Sequence, residues 1–155
     1  MTKPSRTPER GKLDDPQNCV CFNLRKAARA VTQVYDDVLR PTGLRATQHS
    51  LLTVIQLSGK VSISTLADRA VMDRTTLARN LDLLEREGLV RIQPGEEDAR
   101  VREVILTEAA RKKLAAAFPY WEKAQAQVTQ RLGKGRSDQL LSDLFATVAA
   151  AEPER

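Results

Sequence analysis

Two short apolar stripes at helical spacing follow each other closely and run straight into an alternating apolar–basic stretch, and this succession constrains the chain more than anything else in it. It lies between Ser62 and Thr107, reading SISTLADRAV, then MDRTTLARNLDLLEREGLVRIQ, then PGEEDARVREVILT. In the first part Ile63, Leu66, Ala67 and Ala70 share one helical face. In the second, with Asp73 as N-cap, Leu77, Leu81 and Leu84 fall at i, i+4 and i+7. Only Val71–Asp73 separates the two, so the helices must pack across a tight turn. Gly88 stops the longer helix, and LVRI then alternates as a half-buried strand does. A charged, Gly-containing tip turns the chain back along a second strand.

At 100° per residue, the face of the longer helix opposite its leucines is Thr75, Arg79, Asp82 and Arg86. A hydroxyl, two guanidiniums and a carboxylate on one wet face can reach both phosphates and base edges. Taken alone, such a helix is more often a plain solvated surface. The order of elements turns the argument: a helix-turn-helix followed directly by a two-stranded wing is a specific arrangement for reading duplex DNA. Charge adds little. The chain carries a formal +5, which suits a polyanion. Yet from Met72 to Gln93 the arginines 74, 79, 86 and 91 are matched by the acids 73, 82, 85 and 87.

These residues carry a resemblance. LADRAVMDRTTLARNLDLLEREGLVRI, the wing Asp98-Ala-Arg100 and the run Val104-Ile-Leu-Thr107 before a helix are similar to the winged helix-turn-helix of the MarR family of bacterial transcription regulators. The similarity extends from about Cys19 to Ala150. It implies a mainly α fold with a small β-wing: a winged helix-turn-helix plus N- and C-terminal dimerisation helices. Residues 1–17 read as a flexible Pro- and Arg-containing arm, and 18–155 as one domain. Within it, 46–106 is the winged-helix DNA-binding part, and 18–45 and 107–150 hold the dimerisation helices. The resemblance further implies a homodimeric repressor on a pseudopalindromic operator, with reading helices about 10 bp apart. The DNA-contact candidates are Arg74, Thr75, Thr76, Arg79 and Arg86, with Asp82 holding an arginine in its reading rotamer. Family wings are often rich in basic residues, whereas this tip reads PGEEDAR, so its grip rests on Arg100 with help from Arg102. Asp98 would brace the wing and Asp73 would pair with Arg100.

Outside that unit a first helix is expected from about Cys19 to Pro41, with Cys21, Leu24, Ala28, Val31, Tyr35 and Val38 in one stripe. A second runs from about Ala46 to Leu57, and Val61 is placed to add a short third strand beside the wing. After the wing, Thr107 caps a long helix containing Pro119, where a kink is expected, and Ser137 caps a last one bearing Leu140, Leu141, Leu144 and Val148. The winged unit needs fewer apolar helices than these for its own core. Extra packing within the chain or interlocking with a second copy would each use the surplus, and the resemblance favours the second.

Catalysis finds no foothold. His49 is the sole histidine, no Gly-rich phosphate loop or Ser-His-Asp ordering appears, and no cofactor or metal is called for. The length of apolar runs falls short of a membrane span and the N-terminus lacks a signal's apolar region, so a cytoplasmic protein is expected. The resemblance places an effector pocket between the dimer helices and the winged part, where Tyr35, His49, Phe118 and Trp121 are candidates for holding a small aromatic ligand.

Cys21 matches the reactive-cysteine position of the OhrR-like organic-peroxide sensors within the family, with Arg25 one turn away to favour a thiolate. Tyr35 matches one of the tyrosines such sensors use, whereas Arg25 stands in place of another. Cys21 and Tyr35 lie about 21 Å apart along a helix, so only Tyr35 of a second copy could reach the thiol. Cys19 is either incidental or a resolving thiol, and Cys21 is equally a small apolar member of its stripe. Two further readings stay open: a metal-responsive sensor through Cys19, Cys21 and His49, and a winged helix that binds only protein.

Overall fold

The computed structural model describes residues 15–151. The flexible arm expected at 1–17 therefore lies outside the described residues up to position 14. Its last residues are ordered: Asp15 accepts a hydrogen bond from the Gln17 amide at 2.9 Å and caps a 3₁₀ turn at Pro16–Asn18. The elements that follow are α1 (Val20–Leu39), α2 (Ala46–Ser58), β1 (Val61–Ser62), α3 (Ile63–Ala70), α4 (Arg74–Arg86), β2 (Val90–Pro94), β3 (Arg102–Leu106), α5 (Glu108–Leu132) and α6 (Lys134–Ala151).

The core gathers under the helix-turn-helix. Leu66, Leu77, Leu81 and Leu84 are buried with Leu52, Ile55 and Val104, so the stripes read from sequence face one interior. Truncating one such leucine to alanine costs about 2–5 kcal/mol. The three strands form an antiparallel sheet in the order β1-β3-β2, with Val61 opposite Val104 and Val90 opposite Leu106. Thr107 caps α5 through the Ala110 amide, and its hydroxyl also reaches the Gly88 carbonyl at 2.7 Å. One residue thus fastens the end of the wing to the end of α4. Gly88 takes φ 71°, and the Leu89 amide turns back onto the Leu84 carbonyl at 2.8 Å, the left-handed stop that a Cβ would strain.

Two expectations change. Ser137 does not cap the last helix: α6 starts at Lys134, and Ser137 is buried within its first turn with its hydroxyl oxygen unpartnered among the described residues. The α1 stripe divides in two. Tyr35 and Val38 are half-buried and Leu39, not part of the expected stripe, is fully buried, whereas Cys21, Leu24, Ala28 and Val31 are exposed. Along α6, Leu140, Leu141, Leu144, Phe145 and Val148 are exposed too. Helical spacing records an apolar face; it does not record which chain covers it.

Candidate nucleic-acid interface

α4 is set in place by its cap and by the turn before it. Asp73 Oδ1 accepts from the Thr76 amide at 2.9 Å, and Oδ2 accepts from the Thr76 hydroxyl at 2.6 Å. The hydroxyl and then the amide hold the Asp73 carboxyl below its ordinary pKa, so an anion sits at the positive end of α4. The turn itself is left-handed at Val71, φ 50°, a conformation that β-branched residues rarely adopt.

Arg74, Thr75, Thr76, Arg79 and Arg86 are all exposed on α4. The hydroxyl donor of Thr76 is committed to Asp73, which makes this residue part of the cap. Arg86 Nε donates to the Asp82 carbonyl at 3.2 Å, and the Asp82 carboxylate holds no arginine among the described residues, contrary to expectation. Three of the four matched acids accept from neutral donors instead. Glu85 accepts from the Ile92 amide at 3.0 Å, Glu87 from the Gln48 side chain at 3.3 Å, and Asp73 from Thr76. No ion pair among the described residues involves Arg74, Arg79, Arg86 or Arg100. All four acids are exposed as well, so the outer surface of α4 carries mixed charge, with Arg74, Arg79 and Arg86 outside every ion pair among the described residues.

The wing tip is closed locally. Asp98 Oδ1 accepts from the Arg100 amide at 2.9 Å, and the Val101 amide donates to the Asp98 carbonyl at 3.0 Å. Asp98 thus shapes the turn that carries Arg100. The expected Asp73–Arg100 pair is not formed, because Asp73 is occupied by Thr76. Arg100 and Arg102 are exposed, one at the tip and one on β3. Two contacts that sequence reading missed hold the wing: Glu85 grips β2 through Ile92, and Lys60 pairs with Glu96. The hydrogen bond to Glu96 raises the Lys60 pKa. Lys60 and Glu96 lie 36 positions apart and Glu85 and Ile92 lie 7 apart across the end of α4, so neither follows a helical or strand repeat.

A cleft of about 490 Å³ opens between α2 and α5. His49, Phe118 and Trp121 line it, with Phe118 and Trp121 stacked at 5.8 Å between ring centroids. Burial lowers the His49 pKa, so its imidazole is neutral at physiological pH. Tyr35 does not line this cleft; it is half-buried, its hydroxyl bonds Gln125 on α5, and burial raises its pKa. Cys19 and Cys21 are exposed at the start of α1, and the Cys19 sulfur caps that helix by accepting from the Phe22 amide at 3.4 Å. Cys21 is therefore no buried apolar residue within the single chain. Among the described residues no three His, Cys, Asp or Glu side chains gather to hold a metal ion, so the Cys19–Cys21–His49 set is not assembled. No helix among them is long and apolar enough to cross a membrane.

The fold has close counterparts among solved structures. The MarR family model matches residues 42–101. The M. tuberculosis transcriptional regulator MosR, solved in complex with DNA, is 41% identical, with a TM-score of 0.75 over 87% of this chain and 99% of that one. The chain belongs to the MarR family. The MarR relatives it matches are transcriptional regulators, not enzymes. One is the SarZ regulator of Staphylococcus haemolyticus, 30% identical over 59% of this chain; the match spans 63% of that protein's length. Another is the organic hydroperoxide resistance regulator of Bacillus subtilis, 27% identical over 66% of this chain and 71% of its own length.

Proposed function

We propose that this MarR-family chain is a homodimeric transcriptional repressor that reads a pseudopalindromic operator and is released by a small molecule bound in the α2–α5 cleft. The observation that carries the reading is the outer face of α4 and the wing tip, where Arg74, Arg79 and Arg100 stand exposed and outside every ion pair among the described residues. Guanidiniums that no carboxylate engages among the described residues are available to a phosphate backbone. The Thr75 hydroxyl and the Arg79 guanidinium are groups that can hydrogen-bond base edges. Arg100 is suited to a narrow minor groove beside the major-groove helix. The homodimer is supported by the apolar residues left uncovered on α1 and α6.

The experiment is selection of duplexes from a random pool, followed by binding titrations at several salt concentrations. Arg79→Ala should relax preference at one position per half-site, at a discrimination cost of roughly 1–3 kcal/mol. Arg100→Ala should weaken every sequence about equally and flatten the salt slope. An Arg79→Ala protein as tight and as selective as the parent would remove α4 from the account. A chain with no salt-dependent duplex binding at all would leave the protein-only winged helix as the better reading.

A second signal is favoured by one observation: the Cys19 and Cys21 thiols are exposed together at the amino end of α1, open to an oxidant such as a peroxide. Oxidation there would release operator from the wild type but not from Cys21→Ser. Operator release that persists unchanged in the serine variant excludes the thiol route.

A further inference from the structure

The wing that carries Arg100 is acidic. From Gly95 to Glu103 two arginines (100 and 102) stand against four acids (96, 97, 98 and 103), a net charge of −2. One cation reaches it from outside. Lys60, in the turn between α2 and β1, pairs with Glu96, 36 positions along the chain. Ser62 stands opposite Glu103 in the β1–β3 register, so Lys60, two residues earlier, is placed on the sheet face that carries Glu103. The hydrogen bond to Glu96, and after it the charges of Glu96 and Glu103, raise the Lys60 pKa and keep the ammonium charged. Glu103 Oε2 is buried with no hydrogen-bond partner among the described residues. Lys60 is thus set beside two wing carboxylates, one that it binds and one whose buried oxygen has no partner. With side chains 46% and 71% exposed, the Lys60–Glu96 pair contributes little to stability. The charge it cancels still counts in the field that a polyanion meets.

We propose that Lys60 is a positioning residue for DNA binding that acts through Glu96: it offsets the wing's carboxylates and so lets Arg100 approach the phosphates. The inference deepens the DNA-binding reading given above and rests on it. Phosphates repel a carboxylate as they attract a guanidinium. An uncompensated Glu96, four residues from Arg100, would therefore oppose what Arg100 gains. Lysine suits the task, because its ammonium is a point charge on a long flexible stem. Glu103 gives that ammonium a second carboxylate nearby, which favours its staying at the wing. Sequence reading rested the grip on Arg100 and Arg102 because it counted only the charge inside the wing. The compensating cation comes from a turn before β1.

The test is a double-mutant cycle on the full chain, read by titrating a fluorescein-labelled duplex recovered from the random pool. Lys60→Gln should lower duplex affinity roughly five-fold at low salt, the effect of one unit of charge near the phosphates. Glu96→Gln leaves an uncompensated ammonium at the wing and should tighten binding. The two changes together should return affinity to near that of the wild type. Lys60→Arg, which keeps the charge, should retain most of the affinity that Lys60→Gln loses. Thermal midpoints should stay close to that of the wild type throughout, because the pair is exposed. If Glu96→Gln weakens binding as Lys60→Gln does, the pair merely holds the wing and the charge account is overturned. If Glu96→Gln fails to rescue Lys60→Gln, Lys60 touches phosphate directly and the account is overturned as well. A Lys60→Gln protein as tight as the wild type overturns it outright. These outcomes leave the DNA-binding reading standing, whereas a wild type with no salt-dependent duplex binding removes both.

Discussion

Val71 occupies the turn between α3 and α4 with φ 50° and ψ 47°, and its side chain is 68% exposed. A branched Cβ in the left-handed region costs about 1–2 kcal/mol, while asparagine tolerates it through its short polar side chain. Val71→Asn should therefore raise the thermal midpoint by about 2–4 °C for a chain of this size. A lower midpoint would mean that Val71 contributes packing the exposed surface does not reveal. His49 behaves differently. Burial lowers its pKa, so the unfolded chain takes up this proton more readily than the folded one. Above the ordinary histidine value the residue has no effect on stability. As pH falls through that value, the unfolded state is favoured, until the folded imidazole is protonated as well. His49→Gln should abolish that share of the acid sensitivity, which urea midpoints at about pH 7.5 and about pH 5.5 would measure. An unchanged difference between the two pH values would assign the sensitivity to other groups.

Among the elements, the wing depends on a glycine more closely than its charge pattern implies. A Cβ built on Gly95 would stand 2.9 Å from the Asp98 carbonyl oxygen, and the Gly95 amide donates to Val101 at 2.7 Å. Gly95→Ala must therefore displace the turn that carries Arg100. Faster amide exchange at Val101 and a loss of duplex affinity close to that of Arg100→Ala are expected, with the melting of the rest of the domain little changed. Full protection at Val101 would show that the loop absorbs the methyl group. The helix-turn-helix and the strands were legible in the sequence because each is encoded within a few residues: Asp73 before a leucine stripe, Gly88 after it, alternation beyond. The reading failed where a side chain chooses between partners. Asp73 binds Thr76, three residues away, instead of Arg100, because the near partner costs less chain entropy to engage. Ser137 has the right residue type for a cap but lies inside the first turn of α6.

For the whole molecule, the decisive property is where burial ends. Leu39 is the first fully buried residue along α1, and beyond Ala124 only Ser137 is buried among the described residues. The stripe Leu140, Leu141, Leu144, Phe145 and Val148 keeps helical spacing yet stays uncovered, with Phe145 at 75% exposure. On the proposed pairing, a second copy covers it at α1 and α6. Phe145→Glu combined with Leu144→Glu should leave the winged core folded and shift the species to monomer in sedimentation, with operator binding reduced to that of a lone half-site. Unaltered sedimentation of this double variant would place the pairing surface elsewhere. On the proposed pairing, these faces also have a genetic consequence. They lie far in sequence from Arg79 and Arg100, so a chain damaged only in its reading residues still pairs with intact copies. Every mixed pair has one blind half. A loss-of-contact allele such as Arg79→Ala is then expected to be dominant over the wild-type gene, whereas an allele that spoils the α6 face is expected to be recessive.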